Sequence, residues 1–254
     1  MGFRAFWNNT EEMAMTGIHS GNMGDIIYSI PLMRSLGVNK LLLNTNGVHN
    51  TTLKESHCNA IIPLLESQGF ECSIVTNKEC SYDYDLDLFR VSCEDLVATH
   101  LSIAQAKAHK VNINTSEKFI KNIEVKTVAD IVIHRSYRYH NPVFEWEFIR
   151  EFLDDTVFIG YPQEHTDFVK ATKLPVKHFL TKDLLETAKI ISGSKLFIGN
   201  QSTPFAIAEG LKHFRILEVD TRIPNCQPQT WNGLAYMFKQ DKQRAYGFMK
   251  YLIG

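Results

Sequence analysis

The part of the chain that most constrains its fold is residues 193–219, GSKLFIGNQSTPFAIAEGLKHFRILEV. Residues 195–198 form a short apolar run bounded by glycine, which is typical of a buried strand. The polar turn at 200–203 is followed by Pro204, a residue favoured in the first turn of a helix. A glycine ends this short helix, and residues 214–219 are predicted to form a second buried strand. A strand, polar loop, helix and strand in this order predict a parallel α/β domain.

The polar turn predicts an anion site. Ser202 or Thr203 would immediately precede the helix, so the first backbone N–H groups of the helix would point out of its end. A helix end of this kind binds phosphate groups. In parallel α/β sheets, ligands lie at the carboxyl ends of the strands, which is where this turn is placed.

The chain contains two successive series of predicted strands and helices, separated by the polar segment 112–126. We therefore expect two Rossmann-like α/β domains, residues 1–125 and 126–254, that face a central cleft. Pro31 is expected to loosen the first helix, and the last helix, 240–252, is amphipathic and could cross back to the N-terminal domain. The other predicted elements are strands at 13–19, 40–43, 70–75, 84–89, 129–134, 156–159 and 176–180, and helices at 26–36, 53–68, 95–109, 143–153, 163–172 and 182–192.

Composition limits the partners and the compartment of the protein. A formal net charge of −1 gives no general attraction for nucleic acid, so DNA as a partner has no support from the charge. The five cysteines are odd in number and show no CxxC spacing, which favours a reduced cytoplasmic location and argues against zinc. No apolar run approaches the ~18 residues of a membrane span and no secretory signal is visible, so stable membrane insertion is not expected. Phe3, Arg4, Phe6 and Trp7 would form either a membrane-facing patch or a docked terminus.

The loop HSGNMGD, residues 19–25, follows the first predicted strand and contains a candidate catalytic carboxylate. Its two glycines, Gly21 and Gly24, allow the backbone to approach a ligand closely. Asp25 stands at the start of the next helix, where it either caps the helix or acts as a general base. A carboxylate suits the second role when a hydroxyl group attacks, because the hydroxyl proton must leave as the new bond forms.

Two further loops carry candidate ligand-binding side chains. Residues 134–141, HRSYRYHN, place Arg135 and Arg138 where their guanidinium groups could bind a diphosphate, with aromatic rings beside them to stack on a base. The alternative is a solvent-exposed loop with scattered ion pairs. In GYPQEH, residues 160–165, Glu164 either accepts hydrogen bonds from ribose hydroxyls or is a carboxylate at a helix N-terminus.

Two segments carry a resemblance to known proteins: FIGNQSTPFAIAEGL, residues 197–211, and GDIIYSIPLMRSLG, residues 24–37. They are similar to the GNDSGPxHxA segment and the GDxxxxxPxxxxL pattern of the ADP-heptose:lipopolysaccharide heptosyltransferases, a family of GT-B glycosyltransferases. Gln201, Thr203 and Ala206 stand where the family has Asp, its second Gly and His.

The resemblance implies a shortened GT-B glycosyltransferase in which two Rossmann-like domains face a central cleft. It implies metal-independent transfer of a sugar from a nucleotide-diphosphate donor to a hydroxyl acceptor, with no cofactor and with Asp25 as the general base. The acceptor would be a glycan, a lipid-linked saccharide or a hydroxylated nucleobase. The residues assigned to donor binding are Gly24, Arg135, Arg138, Glu164, Asn200, Gln201, Ser202 and Thr203.

Several alternatives stay open at the level of the sequence. A nucleotide-sugar epimerase or hydrolase would turn over the donor without an acceptor, and a non-catalytic nucleotide-sugar-binding protein would not turn it over. YDYDLD, residues 82–87, also contains the DxD spacing of metal-dependent GT-A glycosyltransferases. Asp83 and Asp85 would share one face of a strand, where they either hold Mg²⁺ or Mn²⁺ or belong to an ordinary half-exposed strand.

Overall fold

The computed structural model describes residues 14–46, 53–76 and 80–254. In this part of the chain, the first half builds one parallel sheet and the second half builds another. The N-terminal sheet has the order β3-β2-β1-β4. Its strands are β1 (Met15–His19), β2 (Val38–Asn44), β3 (Glu71–Val75) and β4 (Tyr84–Asp85).

Five helices accompany these strands in the described part of the N-terminal half. The helix predicted at 26–36 is interrupted at Ser29 and becomes two short helices. Pro31 lies in the first turn of the second, where its missing N–H costs no hydrogen bond, so the break falls just before the proline. The helices are α1 (Met23–Tyr28), α2 (Ile30–Ser35), α3 (Glu55–Ser67), α4 (Phe89–Ser92) and α5 (Leu101–Ala108).

Two predicted elements of this half are shorter in the structure. The strand predicted at 84–89 ends at Asp85, because the chain turns into α4 at Phe89. The helix predicted at 95–109 starts only at Leu101, since the carboxylate of Asp95 accepts a hydrogen bond from the Ala98 N–H and favours a turn there.

The C-terminal sheet has the order β10-β9-β8-β5-β6-β7, and all its pairs are parallel. The chain builds from β5 towards β7, then returns to the other side of β5 and builds from β8 towards β10. This reversal creates a topological switch point between β5 and β8, where α/β proteins bind ligands. The strands are β5 (Ile131–His134), β6 (Thr156–Ile159), β7 (Lys177–Phe179), β8 (Leu196–Asn200), β9 (Arg215–Glu218) and β10 (Gly233–Tyr236).

Two elements of this half differ in type from the prediction or were not predicted. The helix predicted at 143–153 is a 3₁₀ segment, Trp146–Asp155, and β10 was not predicted from its short sequence GLAY. The last helix packs on the second sheet through Ala245 and Met249, because its apolar face meets the core beside β10. The α-helices here are α6 (Pro162–Thr172), α7 (Leu184–Ser192), α8 (Thr203–Gly210) and α9 (Asp241–Ile253).

The segment 112–126 has no helix or strand, but it is tightly packed. The backbone N–H groups of Phe119 and Ile120 both donate to the carbonyl of Gly210, and both side chains are buried. A Cβ at Gly210 would lie 2.7 Å from atoms of both side chains, so this close approach requires glycine. The segment thus ties the end of α8 to the N-terminal half. The domain boundary at residue 125 stays a prediction.

One buried apolar cluster runs through both halves and sets the position of α1 against α8. Ile26 and Ile27 of the first half share this cluster with Phe205 and Ile207 of the second. Within the described residues, no helix is both long and apolar enough to cross a bilayer. The patch considered at Phe3, Arg4, Phe6 and Trp7 lies outside the described residues.

Candidate active site

The N-terminus of α8 lies at the switch point of the C-terminal sheet. β8 ends at Asn200, and Ser202 precedes α8 in an extended conformation with φ −141°. The Ser202 hydroxyl donates to the Asn200 carbonyl, 3.1 Å away, and makes no capping hydrogen bond to the helix. Pro204 stands in the first turn, as predicted. The backbone N–H groups at this helix end therefore have no cap from Ser202 and are suited to an anion.

Asn200 and Gln201 hold the loops around this helix end through their side chains. The Asn200 Oδ1 accepts from the Ser136 N–H at 3.0 Å, and its Nδ2 donates to the Arg138 carbonyl at 2.5 Å. The Gln201 Nε2 donates to the Ile223 carbonyl at 2.6 Å, and its Oε1 accepts from the Asp220 N–H at 2.8 Å. The side-chain amides of Asn200 and Gln201 thus hold the loops that surround the N-terminus of α8.

The two predicted phosphate-binding arginines have different surroundings. The Arg135 guanidinium donates from Nε and Nη2 to the two carboxylate oxygens of Glu218, at 2.8 and 2.7 Å. Glu218 is fully buried and also accepts from the Asn141 N–H, so Arg135 serves to hold its own loop. Arg138 points to the open side, with its guanidinium 5.1 Å from the ring of Tyr139. The structure places Arg138, but not Arg135, in the walls of the cavities described next.

A cavity of about 480 Å³ lies on one side of the α8 N-terminus. We call it the Glu164 cavity. Its size falls within the range of ~300–1,000 Å³ that is usual for small-molecule sites. The side chains most relevant to binding in its wall are His134, Tyr137, Arg138, Tyr161, Glu164, Gln201, Ser202 and Thr203.

His134 and Glu164 meet at Gly160 in the floor of the Glu164 cavity. The Nδ1 of His134 is 2.8 Å from the Ile159 carbonyl, so Nδ1 carries the proton when the ring is neutral. Burial lowers the pKa of His134, although the nearby Glu164 carboxylate opposes this shift. Glu164 also accepts the Tyr161 N–H at 3.0 Å, as expected for a carboxylate at a helix N-terminus. His134 was not predicted as a site residue, although it ends a buried strand at the ligand-binding edge of the sheet.

A second cavity, of about 280 Å³, lies on the opposite side of the α8 N-terminus. We call it the Asp25 cavity. It shares four wall residues with the Glu164 cavity, so the two cavities adjoin. These shared residues are Arg138, Gln201, Ser202 and Thr203.

Asp25 belongs to a network of charged groups that is only partly open to solvent. Its Oδ2 accepts from Arg90 Nη2 at 2.5 Å, and Arg90 Nε donates to Asp87 Oδ1 at 3.1 Å. Asp87 in turn accepts from the backbone and side chain of Ser20, both at 2.6 Å, and lies 3.0 Å from His19 Nδ1. Burial opposes ionisation of Asp87, yet His19 and Ser20 hold its pKa well below the usual range.

From the sequence, no site role was assigned to Arg90, Asp87 or His19. Arg90 lies 65 residues from Asp25 along the chain, whereas His19 begins the same loop as Asp25 but carries no pattern that marks it as a site residue. The only available signal was topological. His19 ends β1 and Asp87 follows β4, and the carboxyl ends of neighbouring parallel strands meet at one edge of a sheet.

Gly24 brings the two helix ends together. A Cβ at this position would lie 3.9 Å from the Thr203 Cα, so the start of α1 faces the start of α8 across the shared wall. Asp25 therefore lies beside the loop 200–203, which is the predicted donor-binding loop. A general base that removes a proton from an attacking hydroxyl would have to lie close to the donor.

The carboxylates of the DxD pattern are used in backbone hydrogen bonds. Asp83 Oδ2 accepts from the Thr16 N–H at 2.7 Å, and Asp85 Oδ1 accepts from the Asp87 N–H at 3.0 Å. In the part of the chain that the structure describes, no group of three or more His, Cys, Asp or Glu side chains is arranged to hold a metal ion.

No family model and no curated protein matches this sequence. Solved structures do match. The E. coli ADP-heptose lipopolysaccharide heptosyltransferase II has a TM-score of 0.60 at 11% identity, with 94% of this chain and 98% of that chain covered. E. coli heptosyltransferase WaaC, with ADP-2-deoxy-2-fluoro heptose, has a TM-score of 0.58 at 11% identity, with 94% and 99% covered.

Two further structures show the same likeness. A glycosyl transferase of family 9 from Veillonella parvula has a TM-score of 0.51 at 14% identity, with 92% of this chain and 91% of that chain covered. The iron-containing dodecameric glycosyltransferase TibC of E. coli H10407 has a TM-score of 0.53 at 11% identity, and the match spans 87% of this chain and 61% of TibC. The resemblance noted in the sequence is thus confirmed for the fold: the chain has the α/β fold with two parallel sheets of the heptosyltransferases and family 9 glycosyltransferases.

Proposed function

We propose that the protein is a glycosyltransferase of the GT-B type that moves a sugar from a nucleotide diphosphate to a hydroxyl acceptor. The observation that carries this proposal is that two cavities adjoin at the N-terminus of α8, with Asp25 beside the shared wall. A transferase needs this arrangement, because the sugar of the donor and the hydroxyl of the acceptor must lie next to each other where the new bond forms.

The donor would occupy the Glu164 cavity. The N-terminus of α8 and the guanidinium of Arg138 would bind the diphosphate, as a helix end and an arginine commonly do. Glu164 would accept hydrogen bonds from the ribose, and the exposed rings of Tyr137 and Tyr161 are available to the base. WaaC has been solved with ADP, which supports a nucleotide in this fold.

The acceptor would occupy the Asp25 cavity. Its hydroxyl oxygen attacks the anomeric carbon, the bond from that carbon to the diphosphate oxygen breaks, and the diphosphate leaves with the electron pair. The hydroxyl proton passes to the Asp25 carboxylate. Arg138 and the backbone N–H groups of α8 offset the charge that develops on the leaving diphosphate, so the reaction is proposed to proceed without a metal.

Arg90 and Asp87 act as positioning residues in this scheme. Arg90 holds the Oδ2 of Asp25 and Asp87 holds Arg90, so the second carboxylate oxygen of Asp25 can face the acceptor. Residues 1–125 would form the acceptor side of a central cleft and residues 126–254 the donor side. The location is proposed to be cytoplasmic, because the five cysteines are odd in number and show no CxxC spacing.

The first test is calorimetric binding of ADP, UDP, GDP and CDP and their common sugars, with and without EDTA. We expect micromolar binding of one nucleotide that EDTA does not change. Arg138→Ala should weaken it about tenfold, the contribution of one charge-assisted hydrogen bond to phosphate. Ser202→Ala should weaken it as well, while Asp25→Asn should not. Arg150→Ala, which removes an exposed arginine outside both cavities, is the matched control.

The alternatives give different outcomes in the same experiment. Binding that EDTA abolishes would favour a metal at Asp83 and Asp85. Donor consumption without any acceptor would indicate an epimerase or hydrolase, and binding without turnover would indicate a nucleotide-sugar-binding protein. No binding of any nucleotide would contradict the transferase proposal.

A further inference from the structure

The guanidinium of Arg90 is divided between two carboxylates. Its Nη2 donates to Oδ2 of Asp25 at 2.5 Å, and its Nε donates to Oδ1 of Asp87 at 3.1 Å. Two neighbouring N–H groups of an arginine commonly bind both oxygens of a single carboxylate. At Arg90 the Nε and Nη2 groups have different partners, so Asp25 receives only one of these two hydrogen bonds.

Two other arginines of this chain show the undivided arrangement. Arg135 donates from Nε and Nη2 to the two carboxylate oxygens of Glu218, at 2.8 and 2.7 Å. Arg222 donates in the same way to the two oxygens of Asp220, at 2.9 and 2.7 Å. In each of these pairs the arginine occupies both oxygens of its carboxylate. The same arrangement at Arg90 would leave Asp25 without a free oxygen.

Asp87 is anchored well enough to retain the Nε of Arg90. Its carboxylate is buried, and its Oδ2 accepts hydrogen bonds from the backbone N–H and the hydroxyl of Ser20, both at 2.6 Å. Its Oδ1 also lies 3.0 Å from Nδ1 of His19. Burial by itself would raise the pKa of Asp87, but His19 and Ser20 outweigh it and hold the pKa well below its usual range. Asp87 is therefore a carboxylate at physiological pH.

Gly21 makes room for the divided guanidinium. A Cβ at this position would lie 1.9 Å from Nη2 of Arg90 and 2.9 Å from its Cζ, which is too close for any real contact. The Arg90 side chain is 14% exposed and is bonded at both ends of its Nε–Nη2 edge, so it could not move aside without losing a hydrogen bond. The sequence suggested that this glycine lets a ligand approach, but in the structure the group that approaches it is the Arg90 guanidinium.

We propose that Asp87 and Gly21 are positioning residues that limit Arg90 to one hydrogen bond with Asp25 and so leave Asp25 free to accept a proton. This inference rests on the proposed transferase function and deepens it at the general base. Among the described residues, Oδ1 of Asp25 has no hydrogen-bond partner, and Asp25 lines its cavity. Oδ1 takes the proton of the acceptor hydroxyl while Arg90 holds Oδ2 in place. Without Asp87, Arg90 would bind both oxygens and block the base.

Carbon-13 NMR tests the divided guanidinium without any substrate. The full chain is labelled at the carboxyl carbons of its aspartate side chains, and the Asp25 signal is the one that is missing in Asp25→Asn. We expect the titration midpoint of Asp25 to fall by about one pH unit or more in Asp87→Asn, because an undivided guanidinium favours the carboxylate form more strongly. The midpoint should rise in Arg90→Gln, which removes the guanidinium. Asp154→Asn, at an exposed position outside both cavities, should leave the Asp25 signal unchanged.

Gly21→Ala tests the same contact without changing any charge. The added methyl group displaces Nη2 of Arg90 from Asp25, so the Asp25 midpoint should rise although Asp87 and its partners are intact. The other titratable groups in the wall of the Asp25 cavity are the same in every variant and cannot cause these shifts. They are Tyr28, Arg138, Tyr139 and Cys226.

Turnover of the donor tests the consequence for catalysis. The probes are the nucleotide-sugars of the calorimetric panel with water as the acceptor, and the released nucleotide diphosphate is measured by chromatography. Asp87→Asn should lower kcat about tenfold, a part of the full contribution of a general base, and leave KM for the donor unchanged. Asp87→Glu, which keeps the carboxylate, should restore most of kcat. The double variant of Asp87→Asn and Arg90→Gln should be faster than Asp87→Asn alone, because the guanidinium that blocks Asp25 is gone.

The outcomes separate this inference from the proposed function. An Asp25 midpoint that stays unchanged or rises in Asp87→Asn would overturn the role of Asp87, whatever the activity. A double variant that is no faster than Asp87→Asn would overturn it as well, since a purely structural loss is not relieved by a second substitution. Failure of every nucleotide-sugar to bind would overturn the transferase proposal, and the NMR titration would still decide whether Asp87 limits Arg90.

Discussion

Asp25 has one carboxylate oxygen held by Arg90 and lies beside the loop that precedes α8. The ion pair to Arg90 occupies its Oδ2 and keeps the side chain in place while the other oxygen can accept a proton. We predict that Asp25→Asn lowers kcat about 10²- to 10⁴-fold, the usual contribution of a general base, and leaves the dissociation constant of the donor unchanged. Steady-state kinetics and calorimetry on the same preparation measure both quantities. Asp154→Asn, at an exposed position, is the control, and a near-normal kcat in Asp25→Asn would exclude Asp25 as the base.

Gly160 is a position at which the structure requires glycine. Its φ is +134°, and a Cβ there would lie 2.8 Å from His134 Nδ1 and 2.9 Å from Glu164 Oε2. We predict that Gly160→Ala destabilises the fold by about 2 kcal/mol or more, from backbone strain and from displacement of the two side chains. The affinity for the nucleotide should fall as well, because both side chains line the Glu164 cavity, where the nucleotide is proposed to bind.

Thermal unfolding and calorimetry check the Gly160 prediction. Gly247→Ala is the matched control, since nothing lies within 4 Å of a Cβ at that helical position and alanine favours the helix by roughly 0.5–1 kcal/mol. Equal stability of Gly160→Ala and the unchanged protein would show that the floor of the cavity can rearrange.

At the scale of elements, α5 is preceded by His100, whose ring is buried without a hydrogen bond to any described residue. In the described part of the chain, neither ring nitrogen of His100 has a partner, and the ring packs edge-on against Tyr28 at 5.3 Å. Burial, aided by the positive charges of Lys212 and Arg215, lowers the pKa of His100 to about 4. The folded state thus disfavours the protonated ring that the unfolded chain forms below pH ~6.5.

The sign of the pH dependence follows from this shift. Between about pH 6.5 and pH 4 the unfolded chain binds the proton and the folded chain does not, so the free energy of unfolding falls as the pH falls. We predict that His100→Phe, which keeps the ring and removes both nitrogens, reduces this loss by about 3 kcal/mol. His213, whose pKa burial also lowers to about 4, leaves a residual dependence. Urea unfolding at a series of pH values measures the difference, and identical slopes for both proteins would contradict the burial of His100.

The elements most accurately predicted from the sequence are those with short apolar runs bounded by polar turns. The strand at 156–159 has the predicted ends, whereas the strand predicted at 195–198 is Leu196–Asn200, one residue later at its start and two residues later at its end. Such runs are easy to recognise in the sequence, because strands of a parallel sheet are buried on both faces and are therefore continuously apolar. Elements whose identity depends on tertiary contacts were missed or altered. GLAY becomes β10 only because β9 provides a partner, and Trp146–Asp155 takes 3₁₀ form where aromatic side chains crowd the core.

In the candidate site, too, local sequence patterns were informative and tertiary contacts could not be predicted. The sequence indicated which loops border the two cavities, because the carboxyl ends of parallel strands can be located from strand and helix patterns alone. It could not indicate which side chains are already engaged by the protein. Glu218 lies on another strand and takes up Arg135, and Gln201 bonds to a loop that follows β9. Arg135 therefore holds the loop that carries Arg138, although both arginines looked equivalent in the sequence.

At the scale of the whole molecule, the two sheets are joined where the substrates would meet. The core cluster that contains Ile26 and Phe205 continues from α1 to α8, and Gly24 approaches Thr203 above it. Met23 and Ala60 of the first half also line the Glu164 cavity, although most of its wall comes from the second half. A nucleotide in this cavity would therefore contact both halves and stabilise them as one unit.

This contact gives a prediction for hydrogen exchange. At a nucleotide concentration a hundredfold above its dissociation constant, binding adds about 2.7 kcal/mol to the stability of the liganded region. We predict slowing of amide exchange by about a hundredfold in both α1 and α8, with α9 as the internal control because none of its residues line either cavity. Mass spectrometry of peptides from these three helices measures the effect. Protection confined to α8 would show that the C-terminal half binds the nucleotide alone, and that α1 joins the site only when the acceptor arrives.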